Sequence, residues 1–122
     1  MEISKEDFEQ MKSKYDKEIK KGDPGKSKKG DVDNQTNWVF FSRKDLEAAL
    51  AQSDAQKGGI KFYFTEYTAE TAQKYHPEDP ESYEGRLALV YCASNEKSTD
   101  GEILEDGEIY YDRGTYCPPT CE

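Results

Sequence analysis

Three dense apolar blocks, at residues 38–41, 60–64 and 87–92, constrain what this chain can fold into. Each falls far short of the ~20 apolar residues that a membrane-spanning helix needs. Between them the chain is mostly charged or turn-forming, with 35% charged and 34% hydrophobic residues in 122. Such a composition raises the question of disorder, and the clustering of the apolar residues answers it in favour of an ordered core. The length supports one domain and excludes a TIM barrel, a multidomain enzyme and a full dinucleotide-binding fold.

Local patterns around the blocks predict the elements. Ser4 is a helix N-cap with Asp7 at the third helical position, and Ile3 and Phe8 have the spacing of a hydrophobic staple. Phe8, Met11, Tyr15 and Ile19 then recur on one helical face, which predicts a helix over 3–20. A strand at 38–41 leads to Ser42, the cap of a second helix whose inward stripe is Leu46, Ala49, Leu50 and Ser53. Gly58-Gly59 is the expected end of that helix. Residues 60–67 alternate: Ile60, Phe62 and Phe64 share one face, expected to be buried, and Lys61, Tyr63 and Thr65 share the other. Residues 68–75 suit a short helix, ended by turns at His76-Pro77 and Asp79-Pro80. Residues 86–93 are apolar on both faces, the mark of a central strand, and 109–112 suit a last one.

These elements predict an α+β domain with a small antiparallel sheet of about four strands and two helices packed on one face. The strands are those near 38–41, 60–67, 86–93 and 109–112. The expected core is Phe8, Met11, Ile19, Trp38, Phe40, Leu46, Leu50, Ile60, Phe62, Phe64, Leu87, Leu89 and Val90. The single domain, 1–122, is expected to contain a flexible basic linker at 21–37 and a cysteine-containing tail at 113–122.

Charge is uneven along the chain. Residues 1–30 hold nine lysines against seven acids, whereas residues 31–122 hold eight basic side chains against 19 acids. An acidic body repels phosphates, so nucleic acid is not an expected partner. A basic protein partner, or plain solubility, suits a net charge of −9. Residues 1–6 contain no apolar leader segment and no membrane span is visible, so the expected location is cytoplasmic.

Motifs for chemistry are few. Gly25-Lys26-Ser27 lacks the glycine and the preceding strand of a phosphate loop, because Lys20 stands where the first glycine belongs. Asp31-Val32-Asp33-Asn34 opens like a calcium loop, but Thr36 and Ser42 occupy the positions that need glycine and glutamate. The only histidine, His76, must serve any triad or dyad, and no catalytic set forms around it in the sequence. Cys117-Pro118-Pro119-Thr120-Cys121 is the most unusual segment. Its two thiols suit an inert tail, a disulfide or a soft-metal site such as zinc. An extended Pro-Pro stretch would hold them apart. Cys92 reads as a small buried hydrophobe. Nine tyrosines suit either an interface or the outer face of a sheet.

Several blocks together resemble a family of small, uncharacterised Bacteroidota proteins. They are Asn37-Trp38-Val39-Phe40-Phe41-Ser42 leading to Leu46-Glu47, Gly59-Ile60-Lys61-Phe62-Tyr63-Phe64, Leu87-Ala88-Leu89-Val90-Tyr91, Asp112-Arg113-Gly114 and the Cys117–Cys121 end. The resemblance implies a bacterial cytosolic setting and supplies no catalytic residues. The expected function is a non-enzymatic, immunity- or adaptor-like interaction module. Its acidic, tyrosine-rich surface would comprise Tyr63, Glu102, Glu105, Asp106, Tyr110 and Tyr111. The alternative is thiol redox or soft-metal binding through Cys117 and Cys121.

Overall fold

Helix starts fall where the side-chain caps put them. In the computed structural model, which describes residues 2–96, 103–105 and 109–121, the order begins β1 (Glu2–Ile3), α1 (Lys5–Lys17), β2 (Lys26–Ser27), β3 (Gly30–Asp31) and β4 (Trp38–Phe40). It continues with α2 (Arg43–Leu50), β5 (Gly58–Glu66), α3 (Ala69–Tyr75) and β6 (Leu87–Glu96), and then β7 (Ile103–Glu105), β8 (Tyr110–Tyr111) and β9 (Thr115–Cys117). Ser4, Ser42 and Thr68 each accept from the backbone N–H three residues on. Each cap satisfies a donor that the helix start leaves without a partner, and contributes about 1 kcal/mol. The helix ends differ from expectation. α1 passes at Ile19–Lys21 into a 3-10 turn, closed by Gly22 at φ +90°. α2 stops at Leu50, and the Gly58-Gly59 pair opens β5 instead.

The main sheet is antiparallel with order β1-β8-β6-β5, and β7 also pairs with β6. Strands β5 and β6 pair over nine residues, from Gly58 opposite Asn95 to Glu66 opposite Leu87. Directly opposed residues share a face. Ile60, Phe62 and Phe64 therefore lie with Ala93, Tyr91 and Leu89, and Tyr63 and Thr65 lie with Val90 and Ala88. The expected strand at 38–41 is present but belongs to a separate ribbon. β4 pairs with β9 through Trp38–Cys117, Val39–Tyr116 and Phe40–Thr115, while β1 takes an outer place beside β8.

The α+β class holds, and the layering corrects the expectation. Phe8 and Met11 of α1 pack with Tyr67, Ala88, Val90, Cys92, Tyr110 and Tyr116 in the main core. Ala49 of α2 packs with Tyr91 and Tyr111, beside Phe41 and Ile60, in a smaller one. The two helices thus cover opposite faces of the β5–β6 pair. On β5 the expected core face is inverted: Phe62 is 42% exposed and Phe64 54%, and Trp38, Phe40 and Leu50 are also exposed. Alternation separates two faces without saying which one a helix covers. The 13-residue α1 takes the face carrying Ala88, Val90 and Cys92, and the eight-residue α2 covers only part of the other.

Residues 21–37, expected to be a linker, carry the β2–β3 hairpin and are docked by polar contacts. Glu18 accepts from the Lys26 N–H at 2.8 Å. Gln35 donates to the Gly85 carbonyl and accepts from the Leu87 N–H, and Arg86 donates to the Asn34 carbonyl. Gly25 lies against the Gly85 carbonyl with no room for a Cβ. Lysine and glycine content marked this stretch as a tether; its contacts come from Gln35, Thr36, Lys29 (paired with Glu81) and the backbone, which composition does not report.

Glu66, at the end of β5, is fully buried. Lys14 Nζ lies 3.3 Å from its carboxyl and pairs with the neighbouring Glu18 at 3.0 Å. Burial pushes the Glu66 carboxyl up to about 8, with the nearby Glu18 carboxyl adding to the rise. The folded state therefore holds this proton more tightly than the unfolded chain, whose carboxyl titrates near 4.5. The stability it contributes is complete below 4.5 and is lost as pH rises through about 8. The urea midpoint should fall across that window, and Glu66→Gln should flatten the fall; equal slopes in both proteins would contradict the assignment.

Candidate functional site

A polar cluster forms where the ends of several elements meet. Tyr67 follows β5, Asp112 follows β8, Tyr116 lies on β9, His76 ends α3, and Tyr83 follows the 3-10 turn at Pro80–Ser82. The Asp112 carboxylate is buried at the centre. Tyr67 donates a short hydrogen bond to its Oδ2, and Tyr116 donates to its Oδ1 at 3.0 Å. The Tyr116 oxygen also accepts from the Leu89 N–H at 3.0 Å, which ties the β4–β9 ribbon to β6.

Tyr67 Oη lies 2.9 Å from His76 Nε2. A phenol has one proton, and that of Tyr67 goes to Asp112, so Nε2–H donates to Tyr67 and Nδ1 is the open acceptor of the neutral ring. The imidazole stacks on Tyr83 with centroids 3.5 Å apart and planes 1° from parallel. Burial lowers His76 to about 4, against the pull of Asp79. Burial raises Asp112 to about 6, against the two phenols that donate to it, and it holds Tyr67 and Tyr116 well above the ordinary phenol range. At neutral pH the cluster is one carboxylate, protonated phenols and a neutral imidazole.

Two open grooves meet at His76. One, of about 450 Å³, runs between Tyr75, Asp79, Tyr83, Pro119 and Thr120. The other, of about 340 Å³, is bordered by Asp45, Asp112, Arg113 and Gly114. Nδ1 has the chemistry of a weak base there, but among the described residues no serine or cysteine lines either groove. The aliphatic hydroxyl among the described lining residues is that of Thr120.

The C-terminal cysteines correct the picture of an extended tail. Cys117 and Cys121 form a disulfide with Cα atoms 4.6 Å apart. The Cys117–Pro118 and Pro118–Pro119 peptide bonds are both cis, and Thr120 N–H donates to the Tyr116 carbonyl at 2.7 Å. Cys117 is buried and Cys121 is exposed. The two sulfurs are thus joined to each other, and among the described residues no group of three or more His, Cys, Asp or Glu side chains is placed to hold zinc or another metal. Cys92 is buried, as expected.

The surface tyrosines named from sequence are elsewhere. Tyr110 and Tyr111 are 4% and 6% exposed, and Tyr63 is half-buried with its ring edge-on to Phe8 at 4.8 Å. Glu102 and Asp106 lie outside the described residues, and Glu105 pairs through its backbone with Ser94. Sequence reasoning missed Asp112, Tyr67 and Tyr116 as a set. They are scattered along the chain, and a lone acid beside two tyrosines is their only local signal. Comparison with family models, curated proteins and solved structures finds no match for the chain.

The His76 and Asp112 shifts act on stability in opposite directions. The His76 contribution is present above 6.5 and is lost as pH falls through about 4; the Asp112 contribution is present below 3.8 and is lost as pH rises through about 6. Followed by NMR, the His76 ring should stay neutral until about pH 4. Tyr83→Ala, which uncovers the ring, should move its titration up toward 6.5. A wild-type midpoint near 6.5 would contradict the burial argument.

Proposed function

We propose that the chain is a non-enzymatic interaction module, immunity- or adaptor-like, whose contact face is the outer face of β5. The observation that carries this reading is the exposure of Phe62 and Phe64 on the sheet face that α2 leaves uncovered. Burying a phenylalanine side chain contributes about 1.5–3 kcal/mol. Adjacent aromatic side chains left in water are therefore a strong inducement to association. Leu89 continues the patch opposite Phe64, and Phe41 lies beside Phe62 at 5.5 Å. The net charge of −9 favours a partner with an apolar anchor and a basic rim. The acidic stretch with Glu102, Glu105 and Asp106 then steers the encounter, while the tyrosines stiffen the sheet beneath.

Among the described residues no helix is long and apolar enough to cross a membrane. A cytoplasmic setting agrees with that and with the family resemblance. The test is the Phe62→Ser, Phe64→Ser double variant, which should keep its circular dichroism. It should weaken binding to a captured partner by about 2 kcal/mol or more, some 30-fold. Undiminished binding would place the contact elsewhere.

The disulfide favours a second reading, thiol–disulfide exchange. A thiolate of a dithiol donor attacks the exposed sulfur of Cys121, and Cys117 leaves as a thiolate that takes up a proton. The donor's second thiol then displaces Cys121 and closes the donor's own disulfide. Cytoplasmic disulfides are transient and catalytic or redox-sensing as a rule. Mass spectrometry of thiols blocked on lysis should therefore find a mixture of reduced and oxidised chains that shifts with redox stress. A bond oxidised in every chain under all conditions would make it a structural brace and remove this reading.

A further inference from the structure

We propose that a second copy of this chain adds to the outer edge of β5, antiparallel and about a twofold axis at Phe62, joining two main sheets into one. In the order β1-β8-β6-β5, β5 is the terminal strand. Which of its backbone groups face outward follows from the ladder. Gly58 N–H donates to the Asp54 carbonyl and not to β6, whereas Tyr67 N–H donates to the Arg86 carbonyl in continuation of the β5–β6 pairing. Leu87 and Leu89, opposite Glu66 and Phe64, spend their N–H and C=O on Gln35, Thr36 and Tyr116. In an antiparallel pair these roles alternate along the strand. Ile60, Phe62 and Phe64 therefore turn both N–H and C=O away from β6. Among the described residues no hydrogen bond reaches those groups.

The edge is uncovered over 58–64. A Cβ at Gly59 would meet nothing within 4 Å, and Phe62 and Phe64 are exposed. α1 closes the edge only beyond them, with Tyr15 stacked on Phe64 at 6.1 Å and Lys14 at the buried Glu66. A long open edge is a template for another strand, and monomeric proteins guard it with proline, a bulge or charge. Residues 58–66 contain no proline and pair with β6 without a bulge. Lys61 is the one charged residue in 58–65, and its Nζ lies 3.2 Å from the Tyr63 hydroxyl, along its own strand.

One register makes the edge self-complementary. With Phe62 opposite its own copy, Ile60 meets Phe64 of the second chain and Lys61 meets Tyr63. Apolar side chains then pair on one face and a lysine meets a phenol ring on the other, a contact Lys61 already makes within the chain at 5.3 Å. Centring the axis on Lys61 would set two ammoniums side by side, and centring it on Ile60 would set Phe62 against glycine. The net charge of −9 on each chain opposes association, but residues 57–64 hold two lysines and no acid. The repulsion is therefore long-range, and salt screens it. An isologous contact of this kind uses up the edge in both chains and closes at a dimer. It engages the edge of β5 and leaves the outer face of the joined sheet on the surface.

The test is sedimentation equilibrium of the full chain at low and high salt. The mass should rise with concentration from 14.0 kDa toward twice that value, and more readily at high salt. Ile60→Pro deletes an N–H that the β5–β6 ladder does not use. It should keep its circular dichroism and raise the dimer dissociation constant about tenfold or more. Cysteine variants read the register and decide the matter even where the proline variant does not fold. Phe62→Cys brings two Cα atoms to about 5.5 Å, within disulfide reach, and should crosslink into a dimer on mild oxidation. Ile60→Cys places its copies out of reach and should crosslink about tenfold more slowly or less. The proposal is overturned if the chain stays monomeric at every concentration and salt, or if it grows beyond a dimer. It is equally overturned if folded Ile60→Pro associates like the wild type, or if Ile60→Cys crosslinks as fast as Phe62→Cys.

Discussion

The carboxylate of Asp112 is the point on which the C-terminal third of the fold depends. A buried charge is tolerated only when donors replace the water it has lost. Here the donors are phenols from distant parts of the chain, Tyr67 after β5 and Tyr116 on β9. Each is committed further, Tyr67 to His76 and Tyr116 to the Leu89 amide. One carboxylate thus joins the main sheet, α3 and the β4–β9 ribbon, and the ribbon in turn carries the disulfide.

That arrangement explains the tyrosine content. In this core, Tyr67, Tyr91, Tyr110, Tyr111 and Tyr116 do the work that leucine and isoleucine do elsewhere, at the cost of finding partners for their hydroxyls. All five rings pack against other aromatic rings, and the hydroxyls of Tyr67, Tyr111 and Tyr116 also take part in hydrogen bonds. The hydroxyl of Tyr91 stands apart, buried without a hydrogen-bond partner. With tyrosine inside, phenylalanine is left outside: Phe62 and Phe64 occupy the face with too little helix to cover it. The fold and the proposed contact face therefore have the same origin, a long helix on one side of β5 and a short one on the other.

Local chemistry in the chain was readable where it is local in space. Ser4 and Ser42 cap helices, residues 68–75 supply a third, and the apolar blocks at 60–64 and 87–92 pair as strands. Features set by distant contacts were not readable. The alternation of Ile60, Phe62 and Phe64 is equally compatible with either face inward, and only the packing of α1 decides. Residues 38–40 look like a sheet strand, yet their partner is β9, whose pairing depends on Asp112 and Tyr116. The prolines between Cys117 and Cys121 suggested an extended tail, whereas the chain turns back on itself there. The cluster around Asp112 has no sequence spacing to betray it, since its members are brought together only by the finished sheet.

The most direct test of this account is a double-mutant cycle between Tyr67→Phe and Asp112→Asn, read by urea unfolding. A hydrogen bond to a buried charge contributes about 1.5–3 kcal/mol. The cycle should therefore show a coupling of at least ~1 kcal/mol, with the double variant less destabilised than the sum of the two single variants. Additivity within ~0.3–0.5 kcal/mol would show that the two groups act independently, and the carboxylate would not be what holds these elements together.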